Sequence, residues 1–195
     1  MKEIIQVGIL LFNEVEVLDF AGPFEVFSVA TENNTKLFNA FTIGESDKTI
    51  IARNGLKVIP EYTIQNHPEL DILIIPGGYG AEHIEIKNKT ILNWIKAQQT
   101  KVDILASVCT GAFLLAQSGI LDNIKATTHW MDLDRLENEY PKITVIRGVK
   151  FVDEGRVITA GGISAGINMS FHIIERLLGK KVVEETAKRM EYDLK

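Results

Sequence analysis

The sequence predicts an α/β fold built on a mostly parallel sheet, and three observations carry that expectation. Wholly apolar runs such as Ile72-Leu73-Ile74-Ile75 read as strands buried on both faces. Stretches with helical spacing alternate with them, as βαβ units require. Glycine-rich turns, Gly77-Gly78 and Gly111, stand where two of the apolar runs end.

Residues 4–12 read as the first strand. Asp19 then precedes Phe20-Ala21-Gly22-Pro23-Phe24, where Pro23 suits the first turn of a helix. Phe24 and Phe27, with Val26 or Ala30, give that helix an apolar stripe. Residues 37–43 and 56–59 read as further strands, with Asn54-Gly55 in the turn between them. Residues 71–75 form a buried strand ending at Pro76-Gly77-Gly78-Tyr79-Gly80, and a helix follows over 90–99. The strand at 102–108 runs straight into Cys109-Thr110-Gly111 and a helix. Residues 125–128 look like a short strand leading to His129-Trp130, and 132–139 like a helix. Residues 149–152 and 157–159 bracket Asp153-Glu154-Gly155-Arg156, a hairpin signal. Helices over 165–178 and 181–190 close the chain, broken at Gly179.

A chain of 195 residues can bury one full core and is short for two. With no Pro/Ser-rich linker, repeat or low-complexity stretch, residues 1–195 read as a single domain. The formal charge of −5 argues against nucleic acid or an anionic membrane as a partner. No stretch approaches the ~20 apolar residues of a membrane span. The N-terminal run lacks a cleavage site and continues into Glu14 and Glu16, so no targeting segment is expected. A lone cysteine cannot form an internal disulfide, which fits a reducing, cytoplasmic setting.

Cys109 is that cysteine, and it sits on the turn from strand to helix, the elbow arrangement of hydrolase nucleophiles. The helix N-terminus there favours a thiolate over a thiol. A free cysteine is more often a small buried hydrophobe, and the residues alone leave both readings open. If its strand neighbours the one ending at Gly77-Gly78, the N–H groups of Gly78 and Thr110 converge near the sulfur as an oxyanion hole. Gly77 and Gly78 read equally as a plain turn. Of the acids after the first strand (Glu14, Glu16, Asp19 and Glu25), Asp19 is best placed to enter the same crevice. It reads as readily as a helix N-cap. His129 and Tyr79 are candidates to line the pocket. No His/Cys/Asp/Glu cluster has zinc spacing, and Gly161-Gly162-Ile163-Ser164-Ala165-Gly166 lacks the dinucleotide pattern. The sequence therefore calls for no metal and no cofactor.

The strings Leu18-Asp19-Phe20-Ala21-Gly22-Pro23, Pro76-Gly77-Gly78-Tyr79-Gly80, Ser107-Val108-Cys109-Thr110-Gly111-Ala112 and Ala126-Thr127-Thr128-His129-Trp130 follow in order. With Thr159-Ala160-Gly161-Gly162 and Met190-Glu191-Tyr192, they resemble the ThiJ/PfpI superfamily along essentially the whole chain. The resemblance implies a flavodoxin-like three-layer α/β/α sandwich of the class I glutamine amidotransferase-like type, and a homodimer. Within the superfamily the likeness runs to isonitrile hydratases and to the sensor domain of AraC-type regulators.

By that likeness Cys109 attacks the isonitrile carbon, giving a thioimidate that water resolves to an N-substituted formamide. Asp19 shuttles protons, Thr110 positions the nucleophile and supplies a backbone donor, and the Gly78 turn faces it. Two departures stand out. Proteolytic members carry a histidine directly after the cysteine, where this chain has Thr110, so a peptidase triad of that kind is not available. The amidotransferase elbow has glycine two residues before the cysteine, where this chain has Ser107. AraC-type relatives continue into a helix-turn-helix domain, so the end at Lys195 disfavours a DNA-binding regulator. The readings carried forward are a small-molecule hydratase, a ligand-sensing domain without turnover, and a redox or carbonyl-stress protein.

Overall fold

The computed structural model describes residues 4–194. The first strand, β1 (Ile5–Leu11), is buried from Val7 onward and becomes the middle of the sheet. Helix α1 (Val17–Val29) begins two residues before Asp19, so Asp19 lies in its first turn and not at the cap. Pro23 falls inside the helix and not in its first turn, a correction to the sequence expectation. Two short strands, β2 (Thr31–Glu32) and β3 (Thr35–Lys36), form a hairpin through Asn33 and Asn34, both at positive φ. β4 (Phe38–Gly44) then pairs parallel with β1 from Ile5↔Phe38 to Leu11↔Gly44.

The strand expected at 56–59 does not join the main sheet. Its residues supply β6 (Lys57–Val58), paired antiparallel with β5 (Ile50–Ile51) in a small ribbon that closes at Arg53–Gly55. The edge strand β7 (Tyr62–Thr63) completes that side of the sheet beside β4. β8 (Ile72–Ile75) is followed at once by a helix absent from the sequence expectation, α2 (Tyr79–His83). Next come α3 (Lys89–Gln99), β9 (Ile104–Val108) and α4 (Gly111–Gln117). The run at 125–128 yields only β10 (Lys125–Ala126). After α5 (Leu133–Glu139), β10 is paired in parallel by β11 (Thr144–Val145), in a two-stranded sheet of its own. The hairpin β12 (Phe151–Asp153) and β13 (Val157–Ala160) matches expectation. Helices α6 (Ala165–Leu178) and α7 (Lys180–Arg189) meet at Gly179, whose φ of 88° ends α6.

The main sheet has seven strands in the order β12-β13-β9-β8-β1-β4-β7, parallel throughout except at β12. Helices flank it in two groups: α1 packs on α6 and α6 on α7, while α4 packs on α2 and α3. Every residue of β8 and β9 is buried, as continuous apolar strands of a covered parallel sheet must be. α4 is buried from Gly111 to Ala116, and each fully covered Phe113, Leu114 or Leu115 side chain stabilises the fold by about 1.5–3 kcal/mol. Strand order reverses around β1, so the carboxyl ends of β1, β8 and β9 open on one crevice.

Candidate active site

The three strands deliver one group each to that crevice: Asp19 beyond β1, Gly77-Gly78 beyond β8, and Cys109 beyond β9. Cys109 sits at φ 55°, a left-handed conformation that costs a non-glycine residue about 1–3 kcal/mol and persists only where surroundings enforce it. They do so here. The Cys109 N–H donates to the carbonyls of Ala160 (3.2 Å) and Gly161 (3.0 Å), and its own carbonyl accepts from the Thr128 hydroxyl at 2.8 Å. The elbow is thus fastened to the end of β13 as well as to its own helix.

Asp19 is fully buried. Its Oδ2 accepts the Gly77 N–H at 2.9 Å, while Oδ1 has no hydrogen-bond partner of ordinary geometry. The group facing the carboxyl is the Cys109 thiol, whose interaction favours the ionised carboxylate. Burial dominates and lifts the Asp19 pKa from 3.8 to about 7; the Gly77 N–H pulls it back and the Glu16 charge adds to the rise. Burial, and then the Asp19 charge, also push the Cys109 thiol well above its ordinary value, against the pull of the Thr110 and Ile163 N–H groups. The helix terminus therefore does act on the sulfur, but it does not make the resting thiolate that the sequence suggested. Near neutrality the pair holds at most one negative charge, and a proton is free to pass between sulfur and carboxyl.

The glycine turn serves this geometry differently from the expected oxyanion hole. Gly77 gives its N–H to Asp19, and Gly78 gives its N–H to the Thr110 hydroxyl at 2.9 Å. Thr110 is a donor at the sulfur as expected, and Ile163, not Gly78, supplies the second N–H. A side chain at Gly77 would place its Cβ 2.5 Å from the Thr110 nitrogen, so only glycine lets this turn lie against the elbow. Ile163 was not foreseen. It stands at φ 50° in Gly161-Gly162-Ile163-Ser164, between β13 and α6. In the sequence the segment lacks the dinucleotide pattern, and only its first two glycines belong to a string that resembles the family. Read as a second strand-to-helix turn beside the Cys109 turn, it carried a signal.

A cavity of about 350 Å³ opens over Cys109, lined by Glu16, Arg53, Tyr79, Glu82, Asp132 and Ile163, among others. His129 also lines it, its ring over Gly162, accepting the Met131 N–H at Nδ1 (3.3 Å) and lying 3.7 Å from Asp132. Tyr79 is half exposed, with His83 stacked at 4.0 Å and the Arg53 guanidinium 5.7 Å from its ring. The structure thus brings together Asp19, Gly77, Gly78, Cys109 and Thr110, with His129 and Tyr79 on the cavity wall.

The sequence pattern of the DJ-1/PfpI family matches residues 5–176, which include every strand of the main sheet. The chain belongs to the DJ-1/PfpI family. Among DJ-1/PfpI relatives it is 30% identical to an isonitrile hydratase of Pseudomonas putida, over 96% of this chain and 78% of that protein. It is 24% identical to the HTH-type transcriptional regulator GbdR of Pseudomonas aeruginosa, over 96% of this chain, and spans about half that regulator's length. A THiJ/PfpI family protein from Pseudomonas syringae superposes with a TM-score of 0.87 at 24% identity, covering 98% of this chain and 76% of that one. Drosophila melanogaster DJ-1beta superposes with a TM-score of 0.84 at 18% identity, covering 98% of this chain and all of that one. These DJ-1/PfpI likenesses agree with the α/β fold and mostly parallel sheet described above.

Proposed function

We propose that the protein hydrates a small isonitrile to the N-substituted formamide, with Cys109 as nucleophile. The observation that carries this is the fully buried Asp19 carboxyl, with a pKa lifted to about 7, against the Cys109 thiol. A group that titrates near neutrality can take a proton in one step and return it in the next. As the sulfur attacks the terminal carbon, the thiol proton passes to Asp19 and then to that carbon, leaving a thioimidate on Cys109. Asp19 next takes a proton from water as the oxygen adds to the same carbon. The nitrogen gains the other proton, the carbon–sulfur bond breaks, and Asp19 reprotonates the departing sulfur. The Thr110 and Ile163 N–H groups stabilise sulfur charge during both steps. Thr110 also holds the Gly77-Gly78 turn in place through its hydroxyl.

The 30% identity to an isonitrile hydratase supports this reading, and so does a cavity sized for a small molecule. The reading takes residues 1–195 as one domain acting as a homodimer in the cytoplasm, without cofactor. Among the described residues no helix is long and apolar enough to cross a membrane. Incubation with an alkyl isonitrile tests it, with the formamide followed by its amide absorbance. Turnover abolished by Cys109→Ala and Asp19→Asn is the expected result. No formamide at high protein concentration, with the thiol titrated as reduced, refutes it.

A ligand-sensing domain is the second reading, favoured by the 96% of this chain that aligns with a transcriptional regulator. A ligand-induced thermal shift that survives Cys109→Ala, without turnover, is its signature. The redox reading is weakened by the raised thiol pKa, because oxidation follows thiolate character.

A further inference from the structure

The carboxylates around the Cys109 cavity outnumber the cations that could neutralise them. Arg53 is committed to Glu14 at 3.0 Å. Arg135 is shared among Glu82, Glu139 (3.1 Å) and Asp132 (3.8 Å). Asp132 also has His129 at 3.7 Å. Glu16 lines the same cavity and has no cation: among the described residues its side chain makes no ion pair and no hydrogen bond. It stands at the N-cap position of α1 and makes no capping bond to the helix's free N–H groups. Its backbone is held beside the glycine turn, the N–H donating to Gly77 O at 2.9 Å. Asp19 does not add to this count: it is fully buried behind the elbow with its carboxyl facing the Cys109 thiol, and it is not part of the cavity wall.

We propose that Glu16 is a specificity-determining residue that anchors a cationic substituent, so that the cavity prefers an ammonium-bearing small molecule to a neutral one and excludes anions. The unpaired carboxylate supplies the attraction, and the excess acidic charge supplies the rejection. Tyr79 does not compete for this role, since His83 and Arg53 already lie against its ring. The proposal rests on Cys109 as the reacting atom and not on which reaction follows.

The test reads labelling of Cys109 in the full chain by three methanethiosulfonates of similar size, bearing a trimethylammonium, a hydroxyl or a sulfonate. Each transfers its alkylthio group to the thiol and releases methanesulfinate. Each rate is divided by the rate for free cysteine at the same pH. The ammonium reagent should lead the sulfonate by about tenfold or more at low salt. Glu16→Gln should cut that ratio by about fivefold, and Glu184→Gln, on α7, should leave it unchanged. Tetramethylammonium chloride should protect the unmutated chain from the neutral reagent better than sodium chloride of equal ionic strength. Equal normalised rates, a preference untouched by Glu16→Gln, or no such protection would each overturn the anchor. Labelling selectivity without isonitrile turnover would sink the hydratase reading and leave Glu16 as proposed.

Discussion

Replacing Asp19 by asparagine should strengthen the fold in alkali while disabling the site. Asp19 has no solvent exposure, and its pKa stands at about 7 against an ordinary 3.8. The unfolded chain therefore ionises this carboxyl near pH 4, whereas the native protein resists until about pH 7. A raised pKa means that the favourable contribution is complete below pH 4 and is lost as pH climbs through 7. Once both states are ionised, the cost to the fold is about 4 kcal/mol. Asparagine is neutral at every pH and keeps an oxygen for the Gly77 N–H. Its stability relative to the parent should accordingly grow by about 4 kcal/mol between pH 4 and pH 8. Urea unfolding followed by circular dichroism at pH 4, 6 and 8 measures it. A difference that stays flat across this range would refute a buried carboxyl of raised pKa. A difference of opposite sign would mean that the ionised carboxylate, and not the acid, is what the fold prefers.

The same titration predicts that kcat/KM for an isonitrile rises with pH through about 7, because the ionised Asp19 must accept the thiol proton; a profile falling over that interval would contradict it. Thr110→Val should strand the Gly78 N–H and destabilise the protein by about 1–3 kcal/mol, while Thr110→Ser should retain most stability and activity. Gly77→Ala would force a Cβ to 2.5 Å from one backbone nitrogen and 2.8 Å from the next, at residues 110 and 111. Its melting point should fall by the equivalent of about 1–3 kcal/mol or more, with thiol labelling altered, and an unchanged melt would speak against the close approach. Burial pushes Asp153 up, but hydrogen bonds from His172, Gly155 and Arg176 outweigh it, and its pKa ends below the ordinary value. Arg176→Ala should therefore cost more stability at pH 7 than in acid, where protonation of Asp153 leaves Arg176 chiefly its bond to the Gly155 carbonyl; urea midpoints measured down through the acid range check this.

Elements specified by local chemistry were legible in the sequence. The wholly apolar β8 and β9, the glycine turns beyond them and the elbow all followed from strand burial and turn preference. Cys109, Asp19 and Thr110 were found because the acid, the thiol and the turn all lie at strand ends, where parallel sheets open. Longer-range effects were not legible. The run at 56–59 is three-quarters apolar and reads as a strand of the sheet, and the ribbon closing at Arg53–Gly55 diverts it from there. Asn33 and Asn34 adopt positive φ without a glycine to announce the hairpin. Ile163 escaped because a β-branched residue at φ 50° opposes its own propensity, and the surrounding packing imposes it. Which N–H groups meet the sulfur depended on Thr110 claiming Gly78 first, a competition visible only in three dimensions.

The two borders of the main sheet are both abbreviated: β7 offers two residues and β12 three. A border so short gives an incoming strand almost no ladder to extend, which guards the molecule against runaway edge-to-edge stacking. At either border a neighbouring strand would find only two or three residues to pair with, so the sheet is closed to growth by its own brevity.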